Sequence, residues 1–227
     1  MNPPDGEGQK TAQVRVWDVP TRVLHWLLVA FIAICWWSGE NDELEYHLYS
    51  GYAVLWIILF RIYWGFAGSS TARFSHFVRG PGAVLAYARG LFRRDSPATL
   101  GHNPMGALAV LALLAAVLAV VVTGLFSVDI DVLYSGPLSS YLTFRQGRRM
   151  AHRHEDMFHI LLVVIALHLA AVAFYHVYKR HNLVGAMLTG KGEGRGEALQ
   201  VAPLWRFLLG AAIVSIFVWA VTTGFYF

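Results

Sequence analysis

Four of the ten histidines in this chain are spaced so that they can act in pairs. His154 and His168 lie fourteen residues apart in one apolar stretch. Fourteen steps of about 100° return to within about 40° of the same helix face, while advancing about 21 Å along the axis. One helix face therefore offers an imidazole near each side of a bilayer. His25, early in the first apolar stretch, matches the depth of His168. His47, at the opening of the second, matches the depth of His154. Neutral imidazole is a strong axial donor to iron, and two such ligands leave no open position, which suits electron transfer rather than oxygen chemistry. Four imidazoles on three helices, paired at two depths, are read as axial ligands of two haems. His25 and His168 would hold the inner haem, and His47 and His154 the outer.

Arg61 follows His47 by fourteen residues, so it projects from the same face of the second helix at the inner depth. A lone arginine there calls for an anion, which the propionates of the inner haem would supply. The alternative is that Arg61 snorkels to the nearby interface. Arg22, three residues before His25, is a second candidate propionate contact or a solvated flanking charge. The other histidines have plainer readings. His152 and His159 face about 160–180° away from His168. His176 and His181 lie at a basic helix end, His76 lies in a loop, and His102 flanks the third span.

These residues need elements to position them, and composition says which kind. Of the 227 residues, 56% are hydrophobic and only 14% are charged, too few to coat a water-soluble globule. One cysteine, Cys35, excludes a disulfide scaffold, a Cys-rich zinc site and c-type haem attachment. The net charge of +4 sits in clusters between apolar stretches, which speaks for membrane topology rather than nucleic acid. No alternating ten-residue barrel strands occur. Crossing about 30 Å of hydrocarbon takes roughly 20 helical residues. Five stretches qualify: about Pro20 to Ser38, His47 to Phe66, Pro104 to Phe126, His154 to Tyr178, and Pro203 to Phe227. Asp18 is positioned to cap the first, with Pro20 in its first turn. The expectation is an all-α membrane protein, a four-helix haem-binding bundle plus a fifth, C-terminal transmembrane helix.

The domain reading is a disordered polar tail over 1–13, the bundle over 14–190, a Gly-rich linker over 191–202 and the fifth helix over 203–227. The first apolar stretch is too long and too aromatic for a cleaved leader. Lys and Arg favour cytoplasmic loops. Lys10, Arg15 and Arg22 flank the first span; Arg73, Arg79, Arg89, Arg93 and Arg94 follow the second; Lys179, Arg180, Lys191, Arg195 and Arg206 follow the fourth. Five crossings put all three groups on one side, with Glu40, Asp42, Glu43, Glu45, Asp129 and Asp131 opposite. The N-terminus is therefore expected in the cytoplasm and the C-terminus in the periplasm. Arg145, Arg148, Arg149 and Arg153 fall on the outer side against the rule, as a loop cluster that would dock an acidic redox protein, orient a quinone head group or simply be solvated. Trp17, Trp26, Trp36, Trp37, Trp64 and Trp205 sit near span ends, as an aromatic belt predicts. The fifth span lacks histidine, and its role is packing or partner docking.

Several stretches resemble the bacterial cytochrome b561 and nickel-iron hydrogenase b-type cytochrome family. They are Val16-Trp17-Asp18-Val19-Pro20-Thr21-Arg22-Val23-Leu24-His25-Trp26, His47-Leu48-Tyr49-Ser50-Gly51-Tyr52, Phe60-Arg61-Ile62-Tyr63-Trp64-Gly65-Phe66-Ala67-Gly68, and Gly101-His102-Asn103-Pro104. His154-Glu155, His168, and Asn182-Leu183-Val184 through Thr189-Gly190 complete a match over about residues 14–190. The resemblance implies a four-helix bundle in a bacterial inner membrane, holding b-type haem and exchanging electrons with membrane quinone and a surface redox partner. His25, His47, His154 and His168 match the family's ligand positions. Single-haem members exist, and the two intact pairs here favour two haems.

The function expected is transmembrane electron transfer by a diheme cytochrome between the quinone pool and a redox protein such as a c-type cytochrome. Nucleic acid is not expected as a partner, and oligomerisation is open. Whether the chain is purely a carrier or a quinone-linked oxidoreductase is open too. One alternative is a haem-containing membrane anchor subunit of a hydrogenase or dehydrogenase complex. A metal-ion transporter belongs to another class, but it would place acids within the spans, and here they stay at the ends. A structural membrane protein with packed histidines is the third possibility.

Overall fold

The computed structural model describes residues 14–93, 101–129, 134–192 and 199–225. In chain order these form β1 (Val14–Arg15), α1 (Val19–Glu40), α2 (Leu44–Ala67), α3 (Phe74–Phe77), α4 (Pro81–Arg89), α5 (Pro104–Leu125), α6 (Phe144–Val177), α7 (Leu183–Thr189), β2 (Lys191–Gly192) and α8 (Leu204–Thr222). The helices α1, α2, α5, α6 and α8 are long and apolar enough to cross a membrane. The fold is the expected all-α membrane architecture. The tail over 1–13, Arg94, Asp131, and residues 193–198 of the Gly-rich linker, Arg195 among them, lie outside the described residues.

Local chemistry sets the helix ends. Asp18 Oδ1 accepts from Thr21 N at 2.9 Å and Pro20 occupies the first turn of α1, as expected. Asn103 Oδ1 accepts from Gly106 N at 2.8 Å to start α5. Thr143 and Gln146 form a capping box that starts α6. This start corrects the sequence reading. The fourth helix begins at Phe144, not near His154, so Arg145, Arg148, Arg149 and Arg153 lie on helix rather than in a loop. Its 34 residues extend about 51 Å, against about 30 Å of hydrocarbon, so the arginine-bearing turns stand clear of the apolar layer.

The span ends gather at two poles. At one, Val14 and Arg15 pair antiparallel with Gly192 and Lys191, and Val16 N donates to Gly190 O at 2.8 Å. Thr71 Oγ1 donates to Val16 O at 2.6 Å, and Tyr178 OH donates to Phe92 O at 2.9 Å. The N-terminal flank, the loop after α2 and the segment after α6 thus share one pole, as four crossings require. The ordered unit also runs two residues past 190, into the stretch read as linker. At the other pole, Glu43 N donates to Ser38 O and Tyr141 OH donates to Gly224 O, each at 2.9 Å.

Within the bundle, α1 packs along α2 and α5 along α6, forming two hairpins joined where α2 meets α5. No comparable packing joins α1 to α6; their aromatic contact is Trp36 with Phe158, ring centres 6.4 Å apart. Helix α2 is the hub, burying Val54, Leu55, Ile57, Ile58, Phe60 and Trp64. In lipid, association follows shape fit rather than water exclusion. Helix α8 fits α2 in that way: a Cβ on Gly210 would lie 2.1 Å from the Tyr63 ring. Tyr63 OH donates to Arg206 O at 2.8 Å and Trp56 Nε1 to Ser215 Oγ at 3.0 Å. The short α7 reaches from α1 to α6 across the β1–β2 pole, with grooves on either side lined by Arg22, Val23 and Trp26 of α1 and by Leu169, Val172 and His176 of α6.

Candidate functional site

His47 in the first turn of α2 and His154 on α6 meet at the pole opposite the strands. Their ring centres are 5.8 Å apart and their planes stand at 84°. A metal–imidazole nitrogen bond is about 2 Å, so two rings facing one ion across its axis have centres about 6 Å apart. His47 Nδ1 lies 2.8 Å from Cys35 O of α1, and His154 Nδ1 lies 2.8 Å from Val120 O of α5. A carbonyl only accepts, so each Nδ1 carries the proton and each Nε2 keeps its lone pair. An Nδ1–H held by an acceptor fixes the orientation of an imidazole whose other nitrogen ligates a metal.

Two glycines make room for these bonds. A Cβ on Gly39 would stand 3.2 Å from His47 Nδ1, and one on Gly124 would stand 3.0 Å from His154 Nδ1. Each glycine follows by four residues the carbonyl that its histidine uses, so the ring lies directly over the position a side chain would fill.

The other pair is held differently. His25 on α1 and His168 on α6 are close enough to interact electrostatically. His25 Nδ1 is shut off from solvent with no hydrogen-bond partner, as are Thr21 Oγ1, Arg22 Nε and His102 Nδ1. A buried polar atom left unpaired costs about 1–3 kcal/mol. Four of them at one pole mark a place that a polar ligand group would complete.

The Arg61 guanidinium lies over the Phe74 ring at 5.4 Å and donates to Ala72 O at 3.4 Å. It is not the lone charge that the sequence suggested, because the Asp18 carboxylate supports it electrostatically. Asp18 itself is buried and accepts from Trp64 Nε1 at 2.8 Å. Arg22 donates through Nη1 to Leu188 O at the end of α7, leaving Nε for another partner.

Sequence reasoning gave His102 no role beyond flanking α5. Here it is wedged between Trp17, at 4.7 Å, and Phe77, at 4.5 Å between ring centres. Burial, with the positive charge of Arg61 and then His168, holds its pKa down to about 3, so the ring is neutral. The flanking Gly101 and Asn103-Pro104 read as a loop, and the packing partners lie far off in sequence, so no local signal marked it. His152, His159 and His176 are exposed, and none joins either pair. Arg145, Arg149 and Arg153 are exposed, while Arg148 donates to Val128 O at 3.1 Å. Among the described residues, no group of three or more His, Cys, Asp or Glu is arranged to hold a metal ion. A metal ion held by His47 and His154 would need its remaining donors from outside the protein.

Comparison with known proteins gives the family. The family model for the prokaryotic cytochrome b561 matches residues 16–190, from the residues before α1 through α7, leaving α8 outside. No curated protein and no solved structure matches the chain. A match spanning most of the sequence shows that this chain belongs to the prokaryotic cytochrome b561 family of transmembrane, haem-binding, electron-transferring b-type cytochromes.

Proposed function

We propose that the chain is a diheme cytochrome that carries electrons between membrane quinone and a redox protein at the membrane surface. His47 and His154 would hold the iron of an outer haem, and His25 and His168 that of an inner haem. The observation that carries this reading is the outer pair: two rings at 5.8 Å, each with its Nδ1 bonded to a backbone carbonyl. Bound haem supplies a one-electron ferric–ferrous couple with both axial positions closed.

The residues of the chain do the rest. The Cys35 and Val120 carbonyls fix the tautomers and aim the two Nε2 atoms. Gly39 and Gly124 admit the rings against the helix backbones. At the inner pole, Arg61 and the free Nε of Arg22 would pair with the propionate carboxylates of an inner haem, and neutral His102 would offer a further polar contact. The basic flanks set the orientation, with the strand pole and N-terminus cytoplasmic and the end of α8 periplasmic. Two haems at two depths join a quinone-reactive side to a partner-docking side. The exposed Arg145, Arg149 and Arg153 on the outer turns of α6 suit an acidic partner such as a c-type cytochrome.

The test is haem stoichiometry and the reduced spectrum of the purified, haem-replete chain. Two haems per chain are expected, and His154→Ala is expected to retain one. A colourless preparation overturns the reading, as does a His154→Ala protein that keeps both haems.

A further inference from the structure

The two carbonyls that hold the outer histidines share another feature. Three residues after Cys35, the buried Ser38 directs its hydroxyl between Ile34 O at 2.7 Å and Cys35 O at 3.2 Å. Three residues after Val120, Thr123 directs its hydroxyl between Ala119 O at 2.8 Å and Val120 O at 2.9 Å. One residue further on, each helix has its glycine. The same arrangement thus occurs on α1 and on α5: a carbonyl taken by a histidine of the next helix, a hydroxyl at the third residue, a glycine at the fourth. Hydroxyls that bond back onto their own helix are common, and Ser50 does so onto Tyr46 O and His47 O. Ser38 and Thr123 are set apart because the carbonyl they reach is also the acceptor for a histidine, once in each hairpin.

We propose that Ser38 and Thr123 are positioning residues that raise the reduction potential of the outer haem through the Cys35 and Val120 carbonyls they share with His47 and His154. This rests on the assignment of those histidines as the outer ligands. An imidazole whose Nδ1–H is strongly accepted becomes a more basic ligand, which favours ferric iron. A hydroxyl donating to the same oxygen competes for its lone pairs and weakens the histidine bond. The ligand is then less basic, and the ferrous state gains. Removing the hydroxyl returns the carbonyl to the histidine and lowers the potential. Neither histidine moves, because the glycine and the helix backbone still define its place.

The test is a spectroelectrochemical titration of Ser38→Ala, Thr123→Val and the double variant, with haem counted by pyridine extraction. The outer wave is identified as the one missing from His154→Ala. Each single variant is expected to keep two haems and to lower the reduction equilibrium constant of the outer haem about threefold, about 30 mV for a one-electron couple. The double variant is expected to shift it further, while the inner wave stays in place. Thr123→Ser, which restores the hydroxyl, should return the outer midpoint to the native value. An unmoved outer midpoint in both singles overturns the proposal, and so does a common shift of both waves, which would mean general loosening of the bundle. The single variants decide the matter if the double variant does not fold. A native chain with fewer than two haems overturns the ligand assignment itself, a different result from two haems with unmoved midpoints.

Discussion

The outer and inner histidine pairs sit in the same bundle yet differ in what the protein alone provides. The outer rings are tied down: each Nδ1 has a backbone acceptor, and each ring fits over a glycine. At the inner pole the buried Nδ1 of His25 has no partner, and three further polar atoms nearby are shut in without one. The outer pair is thus pre-organised by short-range contacts within each hairpin. The inner pole instead collects charge and unspent hydrogen-bonding capacity from the N-terminal flank, α2 and the segment before α5. One end holds its histidines by contacts within the protein, and the other keeps buried polar atoms without a partner.

Substitutions can break or sharpen that contrast. The largest effect is expected from His168→Ala, which should remove the inner haem and leave the outer spectrum intact. Loss of both signals would mean that the two poles are not independent. Gly124→Ala comes next. Its Cβ would press on the His154 ring at 3.0 Å, so outer haem content should fall several-fold in haem-limited expression, with inner content unchanged. Gly39→Ala, at 3.2 Å, should do the same less severely. Arg61→Met should retain both haems but lower the inner midpoint, since removing a nearby positive charge favours the ferric state. A change of about tenfold in the equilibrium constant is about 59 mV for one electron, and the outer wave should not follow. The smallest effect belongs to Asp18→Ala, which removes the α1 cap and the acceptor of Trp64 Nε1. It should lower stability by about 1–3 kcal/mol, read as an earlier thermal loss of the Soret band, and raise the inner midpoint slightly by removing a buried negative charge, with the outer midpoint unmoved.

Much of the architecture was legible because membrane crossing leaves a coarse signature. Apolar length located all five spans, and the α1 cap was readable from Asp18 with Pro20. The start of α6 was misread because a run of arginines resembles a loop. Thr143 and Gln146 carried the opposite signal, a capping box that was there to be used. Helical arithmetic matched His47 with His154 in depth, and these rings do meet. The same arithmetic could not reach Gly39, Gly124 or His102. A glycine in an apolar helix has no periodicity to betray it, and the burial of His102 comes from Trp17 and Phe77, which only the folded chain brings near.

The small β1–β2 ribbon has a consequence for biogenesis. Val14 and Arg15 leave the ribosome before α1, yet their partners Lys191 and Gly192 emerge only after α1, α2, α5 and α6 have been made. Until then α1 has no fastening to the far end of the bundle, and α7 does not yet lie across the gap between α1 and α6. The ribbon is therefore a late clasp, closing the strand pole only after the four long helices of the two hairpins have been made.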